Sequence, residues 1–87
     1  MTLHLLFTSQ LSSLNDLRRS LSSEDAIAFI GDGVYALPNW DSSHPCYYRI
    51  ADCTQRGLPE IPGAIAIDDA QWVELCLQHP RTLSWKL

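Results

Sequence analysis

The sequence predicts a small α/β domain: a mostly parallel sheet of about five strands with helices on both faces, three layers in all. Two observations carry this expectation. The run Ala26–Ile30 has no charged residue and holds Ile27, Phe29 and Ile30, the composition of a strand buried on both faces. Strand-like runs also alternate with helical stripes, the pattern that right-handed crossovers between parallel neighbours require. The 87 residues are read as one domain, 1–87. A chain of this size buries about 60 to 65% of its unfolded surface, so its stability is modest.

Thr2–Thr8 reads as the first strand, with Leu3, Leu5 and Phe7 on one face and His4 and Leu6 on the other. His4 is read as a structural hydrogen-bonding residue, since no neighbour in sequence would make it a base. Leucines at 11, 14, 17 and 21 then form a helical stripe. Ser12 or Ser13 can cap that helix, Asn15 and Asp16 lie near its positive end, and Arg18 and Arg19 lie near its negative end. Ser20–Asp25 leads into the central strand. Gly31-Asp32-Gly33 breaks that strand abruptly, at the carboxyl edge where open α/β sheets build their sites.

Pro38–Pro45 has turn-forming composition and is expected as the long loop. Trp40 in its middle is either a contact for a partner or a lid folded back on the core. Cys46–Ala51 reads as the third strand and Asp52–Leu58 as a short helix ending at Gly57, a residue suited to the left-handed C′ position. A turn over Pro59–Gly63 leads to a fourth strand, Ala64–Ile67. Asp68 opens the clearest helix: Gln71 completes a capping box, Trp72, Val73, Cys76 and Leu77 form the apolar face, and Pro80 stops it. Arg81–Leu87 reads as a last strand at a sheet edge.

The composition, 46% hydrophobic and 18% charged, is globular but lean against the usual charged share of about 25%, which points to an interface. A net charge of −4 and six scattered Lys and Arg residues argue against direct binding of nucleic acid. There is no basic leader, and Leu3–Phe7 is too short for a signal peptide or a membrane span, so a cytoplasmic location is expected. Cys46, Cys53 and Cys76 lack CxxC spacing and the histidines at 4, 44 and 79 are dispersed. Neither a disulfide framework nor a metal site is expected, and no cofactor.

Cys53 is the one candidate for a sulfur-transfer thiol, because it falls in the first turn of the predicted short helix, where a thiolate can be stabilised. Asp52 beside it works in the opposite direction and no resolving cysteine is near, so the alternative is a plain buried thiol. Asp32 could receive a ligand or a partner's hydrogen bonds, or be a simple turn aspartate. Gly31-Asp32-Gly33 lacks the third glycine of a dinucleotide loop, and no Ser-His-Asp set or Walker loop occurs.

Leu3-His4, Asp32-Gly33-Val34-Tyr35-Ala36, Arg56-Gly57-Leu58, Trp72-Val73-Glu74-Leu75 and Ser84-Trp85 together resemble, in order and spacing, the DsrH/TusB family of the DsrE/F/H superfamily. The resemblance implies a small three-layer α/β domain acting as one subunit of a heterohexamer with DsrE/TusD-like and DsrF/TusC-like chains in a sulfur relay. In complexes of the TusBCD type, a persulfide passes through the TusD-like subunit towards 2-thiouridine formation at the tRNA wobble position. A related Dsr-type complex serves sulfur oxidation. Family members with a cysteine of their own carry it in the first helix, whereas Leu11–Leu21 has none and Leu17 stands at about that place. The resemblance thus implies a non-catalytic docking subunit. Its contacts are expected at Asp32, Gly33, Tyr35 and Trp85, although Trp85 could instead pack the last strand. Two other readings are a stand-alone or Dsr-type sulfur carrier using Cys53, and a BRCT-like phosphopeptide-binding module. The Trp72-x-x-x-Cys76 pair resembles the latter, but Lys86 is the only lysine available for a phosphate pocket.

Overall fold

The computed structural model describes residues 2–40 and 44–86. In chain order the elements are β1 (Thr2–Leu6), α1 (Leu11–Ser20), β2 (Ala26–Phe29), a 3-10 segment (Gly31–Asn39), β3 (Cys46–Arg49), α2 (Ile50–Gln55), β4 (Ile65–Ile67), α3 (Asp69–Gln78) and β5 (Arg81–Trp85). The strands form one sheet in the order β4-β3-β2-β1-β5, and every pairing is parallel. The expected α/β domain with its central strand at Ala26 is therefore present.

The strand order accounts for the layers. From β1 to β4 each connection steps the same way across the sheet, so crossovers of one hand lay α1, the 3-10 segment and α2 on one face. The last connection returns from β4 to β5 past three strands and lays α3 on the other. Two apolar clusters match these faces: Leu6, Ile27 and Phe29 of the sheet pack with Leu17, Val34 and Cys53, while Leu3, Ala26 and Ala28 pack with Leu75 and Trp72. Alternation along β2 separates the two sets. Its alanines leave room for the larger side chains of α3.

Several boundaries differ from the sequence expectation. The first helix is capped at Gln10, with no side-chain cap, rather than by Ser12 or Ser13. The stripe runs through Leu14, Leu17 and Leu21, while Leu11 stands in solvent. β3 ends at Arg49 because α2 already begins at Ile50. In α3 the buried side is Trp72, Leu75 and Cys76, spaced by three and one, whereas Val73 is 56% and Leu77 82% exposed. The capping box does form: Asp68 Oδ1 accepts from Gln71 N–H at 2.8 Å and Gln71 Oε1 from Asp68 N–H at 2.9 Å. Gly57 takes the left-handed conformation, φ 65°, that ends α2.

The expected loop over Pro38–Pro45 is shorter than its composition suggests, because Pro38 lies inside the 3-10 segment. Residues 41–43 of that expectation lie outside the described residues. Trp40 folds onto the core, its ring edge-on to Phe29 at 5.7 Å between centroids and covered by the Arg18 guanidinium at 4.5 Å. No helix among the described residues is long and apolar enough to cross a membrane.

Candidate functional site

The carboxyl ends of β2 and β3 meet the 3-10 segment and α2, and the charged side chains there form a single chain of contacts. Gly31 turns the backbone out of β2 with φ 57° and donates its N–H to Asp52 Oδ2 at 2.8 Å. Gly33 is buried against β1: a Cβ placed on it would lie 2.0 Å from the Leu6 carbonyl oxygen. Between them Asp32 faces solvent and accepts from Arg56 through Nε at 3.2 Å and Nη2 at 3.0 Å. The Arg56 guanidinium also lies 5.9 Å from the ring centre of Tyr35, itself half exposed.

From Arg56 the contacts continue inward. Its Nη1 donates to the Asp52 carbonyl at 3.1 Å and stands 3.8 Å from Asp52 Oδ1. Asp52 is buried and also accepts from Arg49 Nη1 at 3.3 Å. Arg49 then donates Nε to Asp69 Oδ1 at 2.8 Å at the start of α3, a pairing that lowers the Asp69 pKa. Exposed ion pairs contribute little each. The buried carboxylate of Asp52, shared by two guanidiniums and a backbone N–H, fixes the positions of Arg49, Arg56 and the turn that displays Asp32 and Tyr35.

The structure thus brings Asp32, Gly33 and Tyr35 together and adds Arg56 to them. Sequence reasoning did not identify the role of Arg56, or of Arg49 and Asp52. Their spacing was the available signal: Arg49, Asp52 and Arg56 stand three and four apart, as helical ion pairs do.

Cys53 lies one residue beyond Asp52 but faces the core at 5% exposure. Burial pushes its thiol pKa up, the Asp52 charge adds to that, and Arg56 opposes it without reversing it. Burial also raises Cys46 and Cys76. We expect native protein at pH 8 to leave Cys46 and Cys53 unmodified by iodoacetamide over a period in which urea-unfolded protein is alkylated at all three cysteines. Peptide mass spectrometry gives the site-by-site extent. Among the described residues no group of three or more His, Cys, Asp or Glu side chains is placed to hold a metal ion.

Trp85 stands apart from this surface, on β5 at the far side of β1. Its indole N–H donates to His4 Nδ1 at 3.1 Å, and His4 Nε2 lies 2.9 Å from Asp25 Oδ2. An indole can only donate, so Nδ1 must be the acceptor and Nε2 carries the proton that goes to Asp25. His4 does have a carboxylate partner, 21 residues away in sequence, but both ring nitrogens are occupied and the ring is buried. Asp25 also accepts from Thr2 N–H at 2.9 Å and Ser22 N–H at 3.0 Å. Burial works against the Asp25 charge, yet the hydrogen bonds from His4, Ser22 and Thr2 outweigh it and hold the carboxyl at about 2.

Two comparisons relate the sequence to known proteins. The family model described as "DsrH like protein" matches residues 8–82. The chain is 32% identical over 84 residues to "Protein TusB" of Pectobacterium carotovorum subsp. carotovorum (strain PC1), with 85% of this chain and 88% of that one covered.

Proposed function

Because the chain belongs to the DsrH family, we propose that it serves as a subunit of a cytoplasmic sulfur-relay complex of the TusBCD/DsrEFH type and contributes docking surface rather than a reacting thiol. Its partners in this reading are DsrE/TusD-like and DsrF/TusC-like chains in a heterohexamer, with the persulfide carried by a partner and passed on towards 2-thiouridine formation at the tRNA wobble position. The supporting observation is the state of the cysteines. All three thiols have pKa values raised by burial, and a thiol held protonated is a poor acceptor of sulfur. In the surface formed by Asp32, Tyr35 and Arg56, the first two are exposed and Arg56 is half-buried, held from below by Asp52, and the surface combines an aromatic and an arginine, residue types enriched at interfaces.

The test is co-expression with DsrE-like and DsrF-like chains, followed by intact-mass analysis after incubation with a persulfidated donor. Co-purification, with mass increments of one sulfur atom on a partner alone and undiminished in Cys53→Ser, is the expected result. If the chain itself gains the sulfur and loses that gain in Cys53→Ser, it is a carrier and the docking reading fails.

A further inference from the structure

The two edges of the sheet are unequal. β4 is three residues long, too short to offer much of a ladder, whereas β5 runs five residues in unbroken register with β1, from Thr2↔Arg81 to Leu6↔Trp85. Within β5 there is no proline and one charge, Arg81, and its first four residues are exposed. Proteins usually blunt such an edge with charge, proline or a bulge. Here Pro80, Arg81 and Lys86 guard the ends, while the middle, residues 82–84, has neither charge nor proline.

The register fixes which backbone groups lie on the open side. Phe7 N–H donates to the Trp85 carbonyl at 3.0 Å, so the odd-numbered residues of β5 bond to β1. The N–H and C=O groups of Thr82 and Ser84 therefore point away from the sheet. An antiparallel strand centred opposite Leu83 pairs Thr82 with the residue just after its own centre and Ser84 with the residue just before it, positions that a second β5 fills with Ser84 and Thr82.

We propose that β5 is a self-pairing edge: two copies of this chain associate about a two-fold axis at Leu83, joining their sheets through antiparallel β5 strands. Thr82 then exchanges both backbone hydrogen bonds with Ser84 of the second copy, and Ser84 with Thr82, so all four open groups are used. Leu83, 44% exposed in the single chain, meets Leu83 of the second copy at the non-hydrogen-bonded position where side chains come closest. Arg81 falls opposite Trp85 of the second copy on the same face, a cation over an aromatic ring. Centring on Leu83 pairs all five residues of β5, and no other centre does. The pairing is independent of the docking surface, which lies beyond β1 at the ends of β2 and β3.

Disulfide trapping of Leu83→Cys tests the pairing. Facing Cα atoms at a non-hydrogen-bonded position lie about 4.5 Å apart, within the range a disulfide accepts. With oxidised glutathione as electron acceptor, Leu83→Cys is expected to form a covalent dimer that reduction reverses, while the unsubstituted chain forms none. Adding Thr82→Pro, which removes an outward N–H and leaves the β1 ladder intact, should abolish the cross-link without changing the far-ultraviolet circular dichroism. Leu83→Lys should sediment as a monomer at concentrations where the unsubstituted chain self-associates. The proposal is overturned if Leu77→Cys, exposed on α3, cross-links as fast as Leu83→Cys. It is equally overturned if the unsubstituted chain is monomeric throughout and its Thr82 and Ser84 amides gain exchange protection only with a DsrE-like or DsrF-like chain.

Discussion

Gly33→Ala is expected to lower the unfolding free energy by about 3 kcal/mol, at the upper end of what overpacking costs. The added methyl carbon would stand 2.0 Å from the Leu6 carbonyl oxygen and 2.9 Å from its carbon, both backbone atoms that no rotamer change can move. Relief requires the 3-10 segment to lift from β1. That movement draws on the Gly33 N–H bond to the Ile30 carbonyl, 3.0 Å, and the Ile30 N–H bond to the Leu6 carbonyl, 2.9 Å. It also displaces Val34 and Leu37, which belong to the core. In urea titration the midpoint should fall with the slope unchanged. Because Asp32 and Tyr35 ride on the same segment, folded Gly33→Ala should also capture partner chains less well than the unsubstituted protein.

Asp25→Ala should cost a similar amount, about 3 kcal/mol, through lost hydrogen bonding rather than crowding. It strands the Thr2 and Ser22 N–H groups and the His4 Nε2 proton, all aimed at one carboxylate. The pH dependence follows from the carboxyl pKa, about 2 in the folded chain against about 3.9 unfolded. The unfolded state therefore binds more protons between these values. The contribution of Asp25 is fully present above about pH 4 and is lost as pH falls towards 2. Thermal melts across this range should show stability falling in the unsubstituted chain and a flatter profile in Asp25→Ala.

The parallel sheet was legible because its central strand is uncharged and the leucines of α1 repeat at helical spacing. The last strand was legible from its alternation. The 3-10 segment was not: its buried residues Val34 and Leu37 repeat every three positions, a period between those of strand and helix. The apolar side of α3 was misplaced because Val73 and Leu77 suit a buried face as well as Leu75 does, and only the sheet decides between them. Asp32 and Tyr35 stood out beside their glycine turn, whereas the anchoring of Arg56 to Asp32 spans 24 residues. The Trp85–His4 hydrogen bond spans 81. Contacts at such separations leave no local periodicity to read.

The β1–β5 pairing also bears on how the chain is made. β1 leaves the ribosome before every other strand of the sheet, yet one of its sides bonds to β5, whose Arg81 is 79 positions later than its partner Thr2. At about 5–20 residues per second, that side of β1 waits roughly 4 to 16 s for its neighbour. α3 precedes β5 directly, so the Leu3 and Ala28 face also stays open until α3 has emerged. The nascent chain therefore carries an apolar face and a free strand edge until α3 and β5 have emerged, and the sheet can close only after that.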